Sequence, residues 1–128
     1  MSYCFSKILD SEMEPAIEKV TEALKVEGFG VLTEIDVKAT LKKKIDVDFR
    51  PYTILGACNP AFAHKALLAE DKIGTMLPCN VIVQQIDDGR VEVSAVDPVA
   101  SMSAIENPTL GEIAAEVQAR LKKVIDNL

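Results

Sequence analysis

Apolar and polar positions along the chain fall into two periods that predict alternating strands and helices. Between Ser2 and Asp10, Tyr3, Phe5 and Leu9 share one parity while Cys4, Ser6, Ile8 and Asp10 share the other, an imperfect alternation that predicts a first strand. Ser11 and Glu14 have the spacing of a capping box, and Ile17, Val20 and Leu24 then recur at helical intervals. A helix is expected to about Glu27, stopped by Gly28; Pro15 fits its first turn best with Glu14 as the cap. Phe29, Val31, Thr33 and Ile35 next alternate with Gly30, Leu32, Glu34 and Asp36. Both sets are partly apolar, which places this strand inside the sheet. Asp36 can cap a short helix with Val37, Leu41 and Ile45 on one face and Lys42, Lys43 and Lys44 mostly on the other, read as a solvated lysine face.

Arg50 and Pro51 lead into a third strand, Tyr52 to Cys58. Asn59-Pro60 is a helix start: Asn accepts from an unpaired helix amide, and Pro at the first helical position has no amide to leave unpaired. The helix is expected from Pro60 to about Glu70. Gly74 and Pro78 punctuate the chain before Cys79 to Ile86, a fourth strand, and Asp87-Asp88-Gly89 turns it into a fifth, Arg90 to Asp97. The stretch from Pro98 to Pro108 lacks a period and reads as a loop, with one short turn around Ser101 to Ile105. A second capping box, Thr109 and Glu112, opens a closing helix striped by Leu110, Ile113, Val117, Leu121, Val124 and Leu128. This order predicts an α+β fold, with a mainly antiparallel sheet packed by helices, in a single domain over residues 1–128.

Composition narrows the function. The 128 residues carry 14 Lys and Arg against 20 Asp and Glu, a net charge of −6, so nucleic acid is not an expected partner; phosphate-backbone binding needs clustered cations. No apolar run reaches the roughly 18 residues of a membrane span, and no basic segment precedes an apolar signal core, so a membrane partner is not expected and the expected location is cytoplasmic. Three widely spaced cysteines do not make the even framework of a secreted disulfide domain and read as thiols.

Chemistry concentrates at Cys58. It ends a strand directly before the Asn59-Pro60 helix start, where a helix macrodipole and unpaired amides lower a thiol's pKa. Cys79 begins the next strand and, like Cys58, precedes an Asn. The candidate ligand-binding set is therefore Cys58, Asn59, Cys79 and Asn80, with Cys58, Cys79 and His64 as candidate catalytic groups, His64 as a base if its helix face points toward Cys58. The plain reading of each cysteine is a small buried hydrophobe, and of His64 a wet surface residue. Strand order decides whether Cys58 and Cys79 meet. Cys4, Cys58, Cys79 and His64 have the count of a zinc site but no C-x-x-C pairing, so no metal is assigned; no motif names a cofactor. Gly28-Phe29-Gly30 lies between helix and strand, the wrong polarity for a dinucleotide cradle.

Gly28 to Asp36 (G-F-G-V-L-T-E-I-D), Tyr52 to Pro60 (Y-T-I-L-G-A-C-N-P), Ile73-Gly74, Leu77 to Val81 (L-P-C-N-V) and Asp97-Pro98 together resemble the domain-of-unknown-function family 302 over nearly the whole chain. The resemblance implies a compact α+β domain similar to a single TATA-binding-protein-like repeat and a homodimer. It implies no reaction, so Cys58 and Cys79 inherit a place in the motif and not a catalytic role. Asp46, where the pattern expects Gly, and Asp71-Lys72, where it expects Pro, depart from it. The leading expectation is small-molecule binding at a Cys58/Cys79 strand-end pocket. The alternatives are a thiol-dependent redox or nucleophilic enzyme using Cys58, and a noncatalytic dimeric structural or interaction module.

Overall fold

The computed structural model describes residues 2–128. Five strands, β1 (Cys4–Leu9), β2 (Gly30–Asp36), β3 (Tyr52–Cys58), β4 (Cys79–Asp87) and β5 (Arg90–Val96), form one antiparallel sheet in the order β1-β5-β4-β3-β2. The helices are α1 (Met13–Val26), α2 (Val37–Ile45), α3 (Pro60–Ala69), α4 (Pro98–Ser101) and α5 (Pro108–Asp126), with a 3₁₀ segment at Asp71–Met76. This is the α+β architecture that the periodicities predict.

Strand alternation divides the sheet into two unlike faces. Register pairs Ala57 with Cys79, Leu55 with Val81, Val81 with Ala95 and Val83 with Val93, and these residues point at the helices. Val20 and Leu24 from α1 and Val117, Leu121 and Val124 from α5 complete that core. Each such fully buried aliphatic side chain contributes on the order of 1.5–3 kcal/mol, so α1 and α5 hold the sheet. By contrast α2 buries no residue and lies at the periphery. A smaller cluster, Ala66, Ile73, Met102, Leu110 and Ala114, joins α3, the 3₁₀ segment, α4 and α5. On the other face run Ser6, Ser94, Ile82 and Ile54, and in the next row Ile8, Glu92, Gln84 and Tyr52, with no helix in the core cluster behind them.

Several expectations are corrected. β2 lies at the sheet edge, not inside, because its partly apolar faces reflect a bulge: register slips between Val31 and Thr33, so Val31 pairs with Ala57 on the covered face while Thr33 and Ile35 pair with Gly56 and Ile54 on the other. The Ser11 box does not form. Glu12 stands at the cap of α1, and the Ser11 hydroxyl donates to the Glu12 carbonyl. Thr109 does not cap α5 either; Asn107 does, its Oδ1 accepting from the Leu110 amide at 3.2 Å with Pro108 in the first turn. The segment after Asp97 is not all loop, since Asp97 caps α4 through the Val99 amide and is held by Gln118 Nε2 at 3.0 Å.

Gly56 is required by close packing. A Cβ there would stand 2.2 Å from Thr33 Oγ1 and 2.8 Å from Pro78 Cγ. This glycine lets β2 and the Pro78 entry to β4 close on β3 beside the cysteines.

Candidate functional site

Cys58 is the last residue of β3, and α3 starts two residues later, as the Asn-Pro signal predicts. Asn59 has extended backbone, its Oδ1 accepts from the Phe62 amide at 3.4 Å, and its carbonyl accepts from the Ala63 amide at 2.9 Å. Behind it sits Gly28, in the left-handed region at φ +87°, where a Cβ would come within 2.9 Å of Asn59 Nδ2. The glycine that stops α1 therefore also makes room for the residue that starts α3.

Cys79 opens β4 directly opposite Ala57. One residue along from that pair, Cys58 meets it at the rim of a cavity of about 40 Å³, where the two apolar clusters fail to close on each other. Phe29, Phe62, Ala66, Leu77, Met102, Leu110 and Ile113 contribute to its wall, and among the described residues Asn59 alone lines it with an amide, hydroxyl or charged side chain. Cys58 is half-buried; Cys79 is buried at 9% exposure. Burial, and secondarily the neighbouring Cys58, pushes the Cys79 thiol up to about 11, so it stays protonated at neutral pH. Phe62, partly buried in this wall, has its ring 5.1 Å from the Arg120 guanidinium carbon and 5.7 Å from Lys65 Nζ.

Three of the four expected ligand-binding residues thus converge: Cys58, Asn59 and Cys79. Asn80 does not, because alternation turns it to the opposite face of the sheet, where it is exposed. His64 does not either. On α3 the cavity is lined by Phe62, Ala63 and Ala66, and His64 falls on the exposed side of the helix. Cys4 lies on the uncovered face at β1, so the four-residue zinc set is not assembled; among the described residues no group of three or more His, Cys, Asp or Glu could hold a metal ion.

Leu110 sits on the closing helix as its stripe predicts, whereas Met102 falls in the aperiodic stretch that reads as a loop. A local signal existed: Asp97-Pro98 and Asn107-Pro108 repeat the Asx-Pro start seen at Asn59-Pro60.

A family model described as "Domain of unknown function DUF302" matches residues 5–128. A solved structure, the crystal structure of an uncharacterized conserved protein DUF302 from Bacillus stearothermophilus, is similar at a TM-score of 0.90 and 33% sequence identity, with 98% of this chain and 98% of that chain covered. No curated protein matches the chain.

Proposed function

The chain belongs to the domain-of-unknown-function family 302, and from that premise we propose that it binds a small, largely apolar ligand between the end of β3 and helices α3 and α5, with Cys58, Asn59 and Cys79 at its polar end. The observation that carries this reading is the void itself, left unfilled among apolar side chains and bordered by two thiols and one carboxamide.

Size sets the affinity. About 40 Å³ admits roughly three water-sized groups. At a ceiling of about 1.5 kcal/mol per non-hydrogen atom, such a ligand gains about 4.5 kcal/mol, a Kd near ~0.5 mM. Tighter capture requires a bond or soft contact to sulfur, and Cys58 is the more available of the two thiols. An enzymatic use of Cys58 is less well supported, because among the described residues no His, Asp, Glu or Lys lines the cavity to serve as its base. Three unpaired thiols fit a reducing, cytoplasmic setting. No helix among the described residues is long and apolar enough to cross a membrane.

Dissolved xenon is a direct probe of the void. Its titration is expected to shift the methyl resonances of Ala66, Leu110 and Ile113 in a saturable way and to leave Ile8 and Ile82 on the other sheet face unmoved. Uniform small shifts across both faces would contradict the reading.

A second reading, pairing with another copy of this chain, draws on a separate surface. Leu32, Ile35, Ile45 and Val47 are 68%, 46%, 62% and 43% exposed along edge strand β2 and the α2 region. An edge strand with apolar neighbours is a template for pairing. Sedimentation at falling concentration should reveal a dimer that Leu32→Glu dissociates; a monomer at every concentration contradicts it.

A further inference from the structure

The uncovered face of the sheet carries a groove of about 400 Å³, on the side opposite the void at Cys58. That volume lies within the range of small-molecule sites, roughly 300–1,000 Å³, and is far larger than the void at Cys58. Its floor is hollow because small residues occupy neighbouring positions on β1 and β5: Ser6 and Ser94 face each other with their hydroxyls 2.7 Å apart, and Ser94 is only 8% exposed. Tyr3 and Tyr52 also line it.

Its charges are arranged in a row. Arg50 Nε donates to Gln84 Oε1 at 3.0 Å, and Gln84 Nε2 donates to Glu92 Oε1 at 3.4 Å, so one carboxamide holds a cation at one end and an anion at the other. The Arg50 guanidinium is fixed further by the Phe49 ring at 4.5 Å and the Tyr52 ring at 5.6 Å. Yet Arg50 enters none of the ion pairs among the described residues, although the chain has more carboxylates than cations. Only its Nε is engaged, which leaves both terminal nitrogens presented as a fork of the kind that takes a carboxylate. Glu92 is half-buried and enters no ion pair among the described residues.

We propose that this groove is a second binding site, for a small zwitterion whose carboxylate meets Arg50 and whose ammonium meets Glu92, its body lying over Ile82 and the Ser6–Ser94 pair. A simple anion is disfavoured by Glu92 and a simple cation by Arg50. Arg50 leads into β3 and Glu92 lies on β5, two strands that stand about 10 Å apart, and both side chains reach the intervening Gln84, so the ligand's charges are separated by several bonds.

The test is an amide-shift titration of the intact chain with 4-aminobutanoate, butanoate and butylammonium. The zwitterion is expected to perturb Ile82, Gln84 and Ser94 in a saturable way, with each single-charge analogue at least about tenfold weaker. Arg50→Gln should weaken 4-aminobutanoate by about tenfold, with Arg50→Lys intermediate. Arg50 is exposed, so both variants should keep native spectra. Equal binding of the three probes, indifference to Arg50→Gln, or shifts confined to the Cys58 side would overturn the proposal. So would a dimer that covers this face and excludes the probe. Because the two sites lie on opposite faces, failure here leaves the xenon result at Cys58 unaffected, and the reverse holds too.

Discussion

The two faces of the one sheet are built from the same five strands and differ in almost every other respect. On the covered face, Leu55, Val81, Val83, Val93 and Ala95 are fully buried under α1 and α5, and the remaining space is a small apolar void with thiols at its edge. The uncovered face pairs Ser6 with Ser94 and, in the next row, Gln84 with Glu92, and its hollow is broader and more polar than the void. Neighbouring residues on a strand therefore serve opposite purposes. Cys79 belongs to the core and Asn80, one residue on, belongs to the groove.

The largest effect that tests this division is a core truncation. Leu121→Ala, at a position with no exposure, should cost about 2–5 kcal/mol in denaturant unfolding, whereas Ile8→Thr on the uncovered face should stay within about 0.5 kcal/mol. Similar costs at the two positions would mean that the second face is covered in solution.

Next in size is the pH dependence set by Cys79. Its folded-state thiol titrates near 11, above the 9.0 of an unburied cysteine. The folded state therefore holds its proton more tightly than the unfolded one, so stability from this group is complete below pH 9 and is lost as pH rises from 9 toward 11. The full loss is on the order of 3 kcal/mol. Unfolding of the wild type and of Cys79→Ala across that window should diverge in slope, with the variant flatter. Parallel slopes would show that Cys79 is not held in a dry site.

A smaller effect separates the two Asn-Pro caps that start α3 and α5. Asn107 makes its cap bond at 3.2 Å and also donates to the Ala69 carbonyl at 2.8 Å, while Asn59 caps at 3.4 Å. Asn107→Ala is expected to cost about 1–2 kcal/mol and Asn59→Ala about 0.5–1 kcal/mol in thermal or urea unfolding. The reverse order would indicate that Asn59 has a structural role beyond its cap.

How much of this was legible depended on whether the signal was local. Strands β3 to β5, the Gly89 turn at φ +78° and the Asn59 cap follow from residues within a few positions of one another. Convergence of Cys58, Asn59 and Cys79 rested on strand order, and adjacency of β3 and β4 supplied it. Asn80 was misplaced by reading two Cys-Asn dipeptides as equivalent. Cys58 closes its strand and Asn59 leaves the sheet to cap a helix, but Cys79 opens its strand and Asn80 stays in the pleat. β2 was misplaced because a bulge shifts parity partway along a strand, and this mimics the two-sided apolar pattern of an interior strand. Asp46 shows that a departure from family pattern can carry a physical message: where Gly is expected, this Asp takes a left-handed φ of 54° to end α2.

The most direct measurement of the ligand-site reading is residue-by-residue alkylation by iodoacetamide at neutral pH, with and without dissolved xenon. Cys4 on the uncovered face and Cys58 at the void should be modified while Cys79 is spared, and xenon should slow Cys58 alone. Modification of Cys79 as fast as Cys58, or a Cys58 rate indifferent to xenon, would contradict a ligand site at the end of β3.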